Sequence, residues 1–112
     1  MNANEYQQLA LRTESKTESD TTRLLQGVMG LCGEAGECLD LLKKHMFQEH
    51  HLSKTHLMRE LGDVAWYLAV SADALGFTLE EILEENIHKL KERYPNGFFE
   101  SDKSINRKEG DV

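Results

Sequence analysis

The sequence predicts an all-α fold, and three observations carry the prediction. The 112-residue chain has a single proline, Pro95, so nothing before it blocks helix formation. Apolar residues recur at spacings of three and four over long stretches, the period of a helix covered on one face. No stretch alternates apolar and polar residues as a half-buried strand does. A chain of about 110 residues has room for one domain and too little for two independent cores.

The elements follow in order. Residues 3–13 carry a weak apolar stripe, Ala3, Tyr6, Leu9 and Ala10, which predicts a short first helix. Residues 15–22 are polar and rich in capping side chains, a loop feeding a second helix. Leu24, Leu25, Val28, Leu31, Cys32, Ala35, Leu39, Leu42 and Met46 then predict a long helix over 22–48. His50-His51-Leu52-Ser53 interrupts it, and Ser53 is placed to cap a third helix over 54–75. Within that helix Val64-Ala65-Trp66-Tyr67-Leu68-Ala69-Val70 has almost no polar side. A helix apolar all round is covered all round, so this run predicts a subunit interface. Gly76 is placed to end the helix, and Thr78-Leu79-Glu80-Glu81 reads as a capping box opening a fourth. Pro95 stops that helix by Tyr94. The chain thus reads as a four-helix bundle domain over 1–99 with a charged, flexible tail over 100–112.

Composition removes several function classes. Thirteen Lys and Arg face 20 Asp and Glu, a net charge of −7, whereas binding a nucleic-acid polymer takes a basic surface. No apolar run reaches the roughly 18–20 residues of a membrane span. The start, Met1-Asn2-Ala3-Asn4-Glu5, lacks the basic and apolar segments of a signal peptide, so a cytoplasmic protein is expected. Cys32 and Cys38, six apart on a helix, are too distant for a disulfide and read as buried free thiols. His45, His50, His51, His56 and His88 show no metal-ligand spacing and are expected at the surface.

Two acidic patterns carry chemistry. Gly33-Glu34-Ala35-Gly36-Glu37 lies in the second helix and Glu60-Leu61-Gly62-Asp63 in the third. Each sets two carboxylates three residues apart, about 5–6 Å at Cβ on one helix surface. A short loop joins the two helices, so they pack antiparallel and all four acids can face one another. Such a cluster repels itself unless a cation compensates. Oxygen-only donors fit Mg²⁺ or Mn²⁺ rather than zinc. Gly27, Gly30, Gly33 and Gly36 recur every three residues, each costing about 1 kcal/mol against Ala in a helix. Close approach of another backbone, or room for metal and ligand, offsets that cost. Asn86, Lys89 and Arg93 share one stripe of the fourth helix, an arrangement suited to phosphate oxygens, or to the negative end of the helix dipole near which the two cations lie. Tyr67 lies on the face of Glu60 and Asp63, placed either to reach a ligand there or to pack in the core.

Glu34-x-x-Glu37, 22 residues, then Glu60-x-x-Asp63 resembles the signature of the MazG-like all-α nucleoside triphosphate pyrophosphohydrolases. The surrounding Gly30-Leu31-Cys32-Gly33, Val64-Ala65-Trp66-Tyr67 and Asn86-x-x-Lys89-x-x-x-Arg93-Tyr94-Pro95 are similar too, over about residues 22–99. The resemblance implies a Mg²⁺-dependent enzyme that cleaves between the α- and β-phosphates, releasing a nucleoside monophosphate and pyrophosphate. It further implies a dimer or tetramer of helical subunits and a role in clearing unwanted nucleotides. On this chain Glu34, Glu37, Glu60 and Asp63 would hold Mg²⁺, with Glu34 or Glu37 orienting the attacking water. Asn86, Lys89, Arg93 and Tyr67 would contact the substrate. Two non-catalytic readings compete: a metal-binding helical oligomerisation module and a nucleotide sensor.

Overall fold

The computed structural model describes residues 1–15 and 19–112, and no strand occurs among them. Five helices follow one another: α1 (Ala3–Leu11), α2 (Asp20–Phe47), α3 (Lys54–Leu75), α4 (Leu79–Arg93) and α5 (Ser101–Ile105). The predicted loop before α2 includes Lys16, Thr17 and Glu18, which lie outside the described residues. Two compact units divide the chain, Met1–Leu79 and Glu80–Val112.

Short polar side chains start the first three helices. Asn2 accepts from the Glu5 N–H at 2.8 Å, Ser19 from the Thr22 N–H at 3.2 Å and Ser53 from the His56 N–H at 3.1 Å. Each satisfies an N–H that the first helical turn leaves without a carbonyl. Gly76 ends α3 in the left-handed region, φ +88°. Its N–H donates to the Asp73 carbonyl and that of Phe77 to the Ala72 carbonyl, each at 2.9 Å. This paired closure needs a positive φ at Gly76, which costs glycine nothing.

In the first unit α3 carries α2 on one side and α1 on another. Its apolar run is therefore covered within the chain: residues 69–72 are buried and 64–68 half-buried. α1 and α2 cover part of the run that predicted a subunit interface, and residues 64–68 keep some of their surface. Ala10, Ala69 and Leu79 form the centre, with Ala3, Tyr6, Trp66 and Leu68 packed around them.

One polar residue is part of this core. Gln7 is 2% exposed. Its amide nitrogen donates to the Ala69 and Phe77 carbonyls at 3.1 and 3.2 Å, and its oxygen accepts from the Leu79 N–H at 2.9 Å. Gln7 therefore ties α1 to α3 and to the turn after it. Leu9, expected on the covered stripe, is instead 48% exposed, because the inner face of α1 runs through Gln7, Ala10 and Leu11.

On α2 the covered positions include Gly27, Gly30, Leu31, Glu34, Cys38 and Leu41, one stripe along the helix that meets α3 at Gly27 and Gly30. The expectation of two buried thiols fails: Cys32 is exposed and Cys38 only half-buried. Cys32 lies off the α3-facing stripe. Leu25, Met29, Leu39, Met46 and Phe47 are exposed as well, a second apolar surface on the same helix. All five histidines are exposed, as expected.

In the second unit Asn96 donates to Glu100 at 2.8 Å, and the rings of Tyr94 and Phe99 sit 5.7 Å apart. The tail beyond residue 99 forms α5, and Asp111 pairs with Arg93.

Candidate metal centre

Glu34 from α2 and Glu60 and Asp63 from α3 converge. Each offers a carboxylate oxygen, and the three oxygens lie within 4.8 Å of one another. On α3 the spacing of three puts Glu60 and Asp63 on adjacent turns of one surface. On α2 Glu34 follows Gly27 by seven residues, two turns along the stripe that meets α3.

The proximity shows in the protonation of Glu34. Its pKa is raised above the ordinary carboxylate value, first by a hydrogen bond to Glu60, then by partial desolvation and by the charges of Asp63, Glu60 and Glu37. Like charges this close favour holding a proton or a cation. Hard oxygen donors in this number fit Mg²⁺ or Mn²⁺. The donor set therefore meets the requirement for a divalent hard cation.

Glu37 stands apart. It is exposed and outside the converging three, although its charge still acts on Glu34. Beyond it Asp40 pairs with Lys43 at 3.2 Å and with Lys44 at 2.7 Å. The pairing lowers the Asp40 pKa, mainly through Lys44. The sequence reading had no place for His56, whose Nε2 lies 3.1 Å from Glu60 Oε1. Its signal was the i, i+4 spacing of His56 and Glu60 on one helix, which can orient a ligating carboxylate.

The glycines divide. A Cβ at Gly27 would collide with the Ser71 hydroxyl, and one at Gly30 with the Tyr67 ring. Gly33 and Gly36 have nothing within 4 Å of the same position. A spacing of three turns each glycine about 60° from the last. The series thus begins against α3 and walks away from it.

Tyr67 follows Asp63 by one turn and meets Trp66 edge to face at 4.9 Å and 85°. Trp66 donates its indole N–H to Thr13 at 2.8 Å and packs in the core. Both border a cavity of about 440 Å³, with Arg23, Gln26, Gly27 and Val70. Arg23 is already neutralised there by Glu14 and Asp20 at 2.8 Å and Asp73 at 2.7 Å. These acids, Glu14 foremost, raise its pKa further above the usual value.

Asn86, Lys89 and Arg93 belong to the second unit, where Asn86 is exposed and Lys89 and Arg93 are half-buried. Arg93 is gripped by Asp111, a partner 18 residues on that no periodic pattern announced.

Fold and cluster together define a class: an all-α protein that gathers carboxylates between two antiparallel helices. Residues 24–98 match the profile of the MazG nucleotide pyrophosphohydrolase domain. The chain belongs to that family. The Gene 37 protein of Mycobacterium phage L5 is 37% identical over 73 residues, 62% of this chain. The chain spans 64% of the length of that relative. No solved structure matches significantly. Among the described residues no helix is long and apolar enough to cross a membrane.

Proposed function

We propose that this chain is a Mg²⁺-dependent nucleoside triphosphate pyrophosphohydrolase, cleaving between the α- and β-phosphates to give a monophosphate and pyrophosphate. The observation that carries the reading is the convergence of Glu34, Glu60 and Asp63 within 4.8 Å, in a chain of the MazG nucleotide pyrophosphohydrolase domain family. Mg²⁺, or Mn²⁺ in its place, would supply Lewis-acid polarisation and charge neutralisation when bound.

Glu34, Glu60 and Asp63 are the residues that would hold the ion, and His56 would fix the orientation of Glu60. Glu37, exposed and outside the three, is free to accept a proton from water and orient it. On this reading Glu34 serves the metal and Glu37 the water, where the sequence left both roles to both residues. Lys89 and Arg93 would take phosphate charge, with Asn86 as a neutral contact. The cavity beside Tyr67 suits the uncharged nucleoside, because Arg23 is spent on three carboxylates and offers no free charge to phosphate. Its volume of about 440 Å³ lies in the ordinary range for a small-molecule site.

The exposed apolar surface of α2, with Phe47 76% exposed, is what a second copy would cover in a homodimer or homotetramer. A nucleotide-clearing role in the cytoplasm completes the reading.

Product identity tests it. Phosphorus NMR of a nucleoside triphosphate digest should give monophosphate and pyrophosphate in equal amounts. Diphosphate with inorganic phosphate would contradict the assigned bond. Metal-dependent thermal stabilisation with no effect of any nucleotide would leave a binding module in its place.

A further inference from the structure

The cavity beside Tyr67 lies wholly within the first unit, and the pairings between α2 and α3 give it a direction. Arg23 meets Asp73 at 2.7 Å. One turn on, a Cβ at Gly27 would meet Ser71, and one at Gly30 would meet Tyr67. Glu34 then meets Glu60 and Asp63. The cavity, bordered by Arg23, Gly27 and Tyr67, therefore ends about one helical turn short of the carboxylate cluster. At its far end three carboxylates, Glu14, Asp20 and Asp73, face the single guanidinium of Arg23. That end repels phosphate, so a nucleotide lying here turns its phosphates toward the metal centre and its base toward Arg23.

Few polar side-chain atoms of the cavity are free to meet that base. Both Glu14 oxygens accept from Arg23, at 2.8 and 2.9 Å, and the Glu14 side chain is only 7% exposed. Trp66 gives its indole N–H to Thr13, and Ser15 is not free. Gly27 and Val70 bring no polar side-chain group. Gln26 differs from all of these. It borders the cavity, is exposed, and among the described residues its amide makes no hydrogen bond. A carboxamide sets a donor beside an acceptor, the pattern that complements the edge of a nucleobase, whereas the Tyr67 hydroxyl is a single group.

Gln26 also stands in line with the cluster. Gln26, Gly30, Gly33 and Glu37 follow spacings of four, three and four, so they share one flank of α2. Gly30 gives its space to the Tyr67 ring and Gly33 leaves it open. No α2 side chain on this flank therefore stands between the amide and the Glu37 carboxylate. Eight residues, about 12 Å along the helix axis, separate Gln26 from Glu34, a span that a base and its sugar fill.

We propose that Gln26 reads the hydrogen-bonding edge of the substrate's base, a role that rests on the nucleotide reading of this cavity. A neutral amide turns over to present its donor and acceptor in either order. Gln26 thus selects a base with adjacent donor and acceptor and accepts adenine, cytosine or uracil alike. Gln26→Glu replaces the amide by an acceptor-only carboxylate at neutral pH. That carboxylate matches the two adjacent N–H donors of guanine and opposes the ring-nitrogen acceptor of adenine.

The test is a chemical-shift titration of the full chain with adenosine and guanosine 5′-monophosphates in Mg²⁺ buffer. Binding is followed at the indole N–H of Trp66, which borders the cavity and is the chain's single tryptophan. The proteins are wild type, Gln26→Glu, Gln26→Leu and Gln8→Glu. Gln26→Glu should raise the guanosine-to-adenosine affinity ratio about 10-fold or more over wild type. Gln26→Leu, which offers neither donor nor acceptor, should weaken both ligands about 10-fold. Gln8→Glu adds the same charge at an exposed position of α1 and should leave the ratio unchanged.

An unswitched ratio in Gln26→Glu would overturn the base-reading role, as would an equal change in Gln8→Glu or an absence of binding to wild type. Monophosphate binding involves no turnover, so this role and the proposed activity fail separately. A switched ratio in a protein that hydrolyses no nucleoside triphosphate would sink the activity and keep Gln26 as the base reader. Pyrophosphate release with an unswitched ratio would keep the activity and place base recognition elsewhere.

Discussion

The two halves of the α2–α3 pair are built from the same sequence device and put to opposite uses. At Gly27 and Gly30 the glycines let α3 in, with Ser71 and Tyr67 occupying the space a Cβ would take. At Gly33 and Gly36 the space stays open, and there the carboxylates gather. The packed half holds the helices at a fixed distance and rotation. The open half uses that rotation to bring Glu34 to Glu60 and Asp63. A glycine repeat thus reports position on the helix before it reports function.

Breaking the open half should cost the most. Glu60→Gln removes a charged donor and the partner of His56, and turnover should fall at least about 100-fold, with the circular dichroism of wild type. A variant retaining more than a tenth of the activity would remove Glu60 from the centre. In the packed region Gln7→Leu keeps the side chain's bulk but deletes its bonds to Ala69, Phe77 and Leu79. Buried backbone groups left unpaired should lower stability by about 2–4 kcal/mol in urea unfolding, with activity per folded molecule little changed.

The glycines sharpen the comparison because their signs differ. Gly30→Ala gains helix propensity but drives a methyl group into Tyr67, a net loss of about 1–3 kcal/mol. Gly33→Ala meets nothing and should gain about 0.5–1 kcal/mol. A stabilised Gly33→Ala that has lost turnover would show that the open space admits metal, substrate or a second copy. Equal effects at both positions would erase the distinction between the halves.

The smallest effect lies beyond the cluster. Asp40 pairs with Lys44 and Lys43, and its lowered pKa makes the ionised form the stabilising one. That support is present above the ordinary carboxylate value of 3.8 and is lost as pH falls through the lowered value. Asp40→Asn should therefore melt marginally below wild type at neutral pH and together with it in strong acid. A large difference at pH 7 would give Asp40 a role in the centre.

Much of this arrangement is legible in the sequence because it is local. Ser53 and Gly76 mark the ends of α3, and a spacing of three aligns Glu60 with Asp63. The unequal standing of Glu34 and Glu37 depends on how α2 is rotated against α3, which no spacing within one helix records. Gln7 reads as a surface residue on a short polar helix, since its partners are carbonyls and an N–H more than sixty residues away. Cysteine spacing excludes a disulfide but says nothing of which face of α2 Cys32 occupies, and it lies on an exposed one. Asp111 lies in a segment without periodicity, so its hold on Arg93 appears only once the chain has turned back at Gly110.

The central claim is that Glu34, Glu60 and Asp63 hold the divalent ion on which cleavage depends. Pyrophosphate release from a panel of nucleoside triphosphates, followed across a Mg²⁺ titration for wild type and Glu60→Gln, tests it most directly. Saturable, Mg²⁺-dependent release by wild type that is absent from a folded Glu60→Gln is the predicted result. Release that is independent of Mg²⁺, or equal in the two proteins, would contradict it.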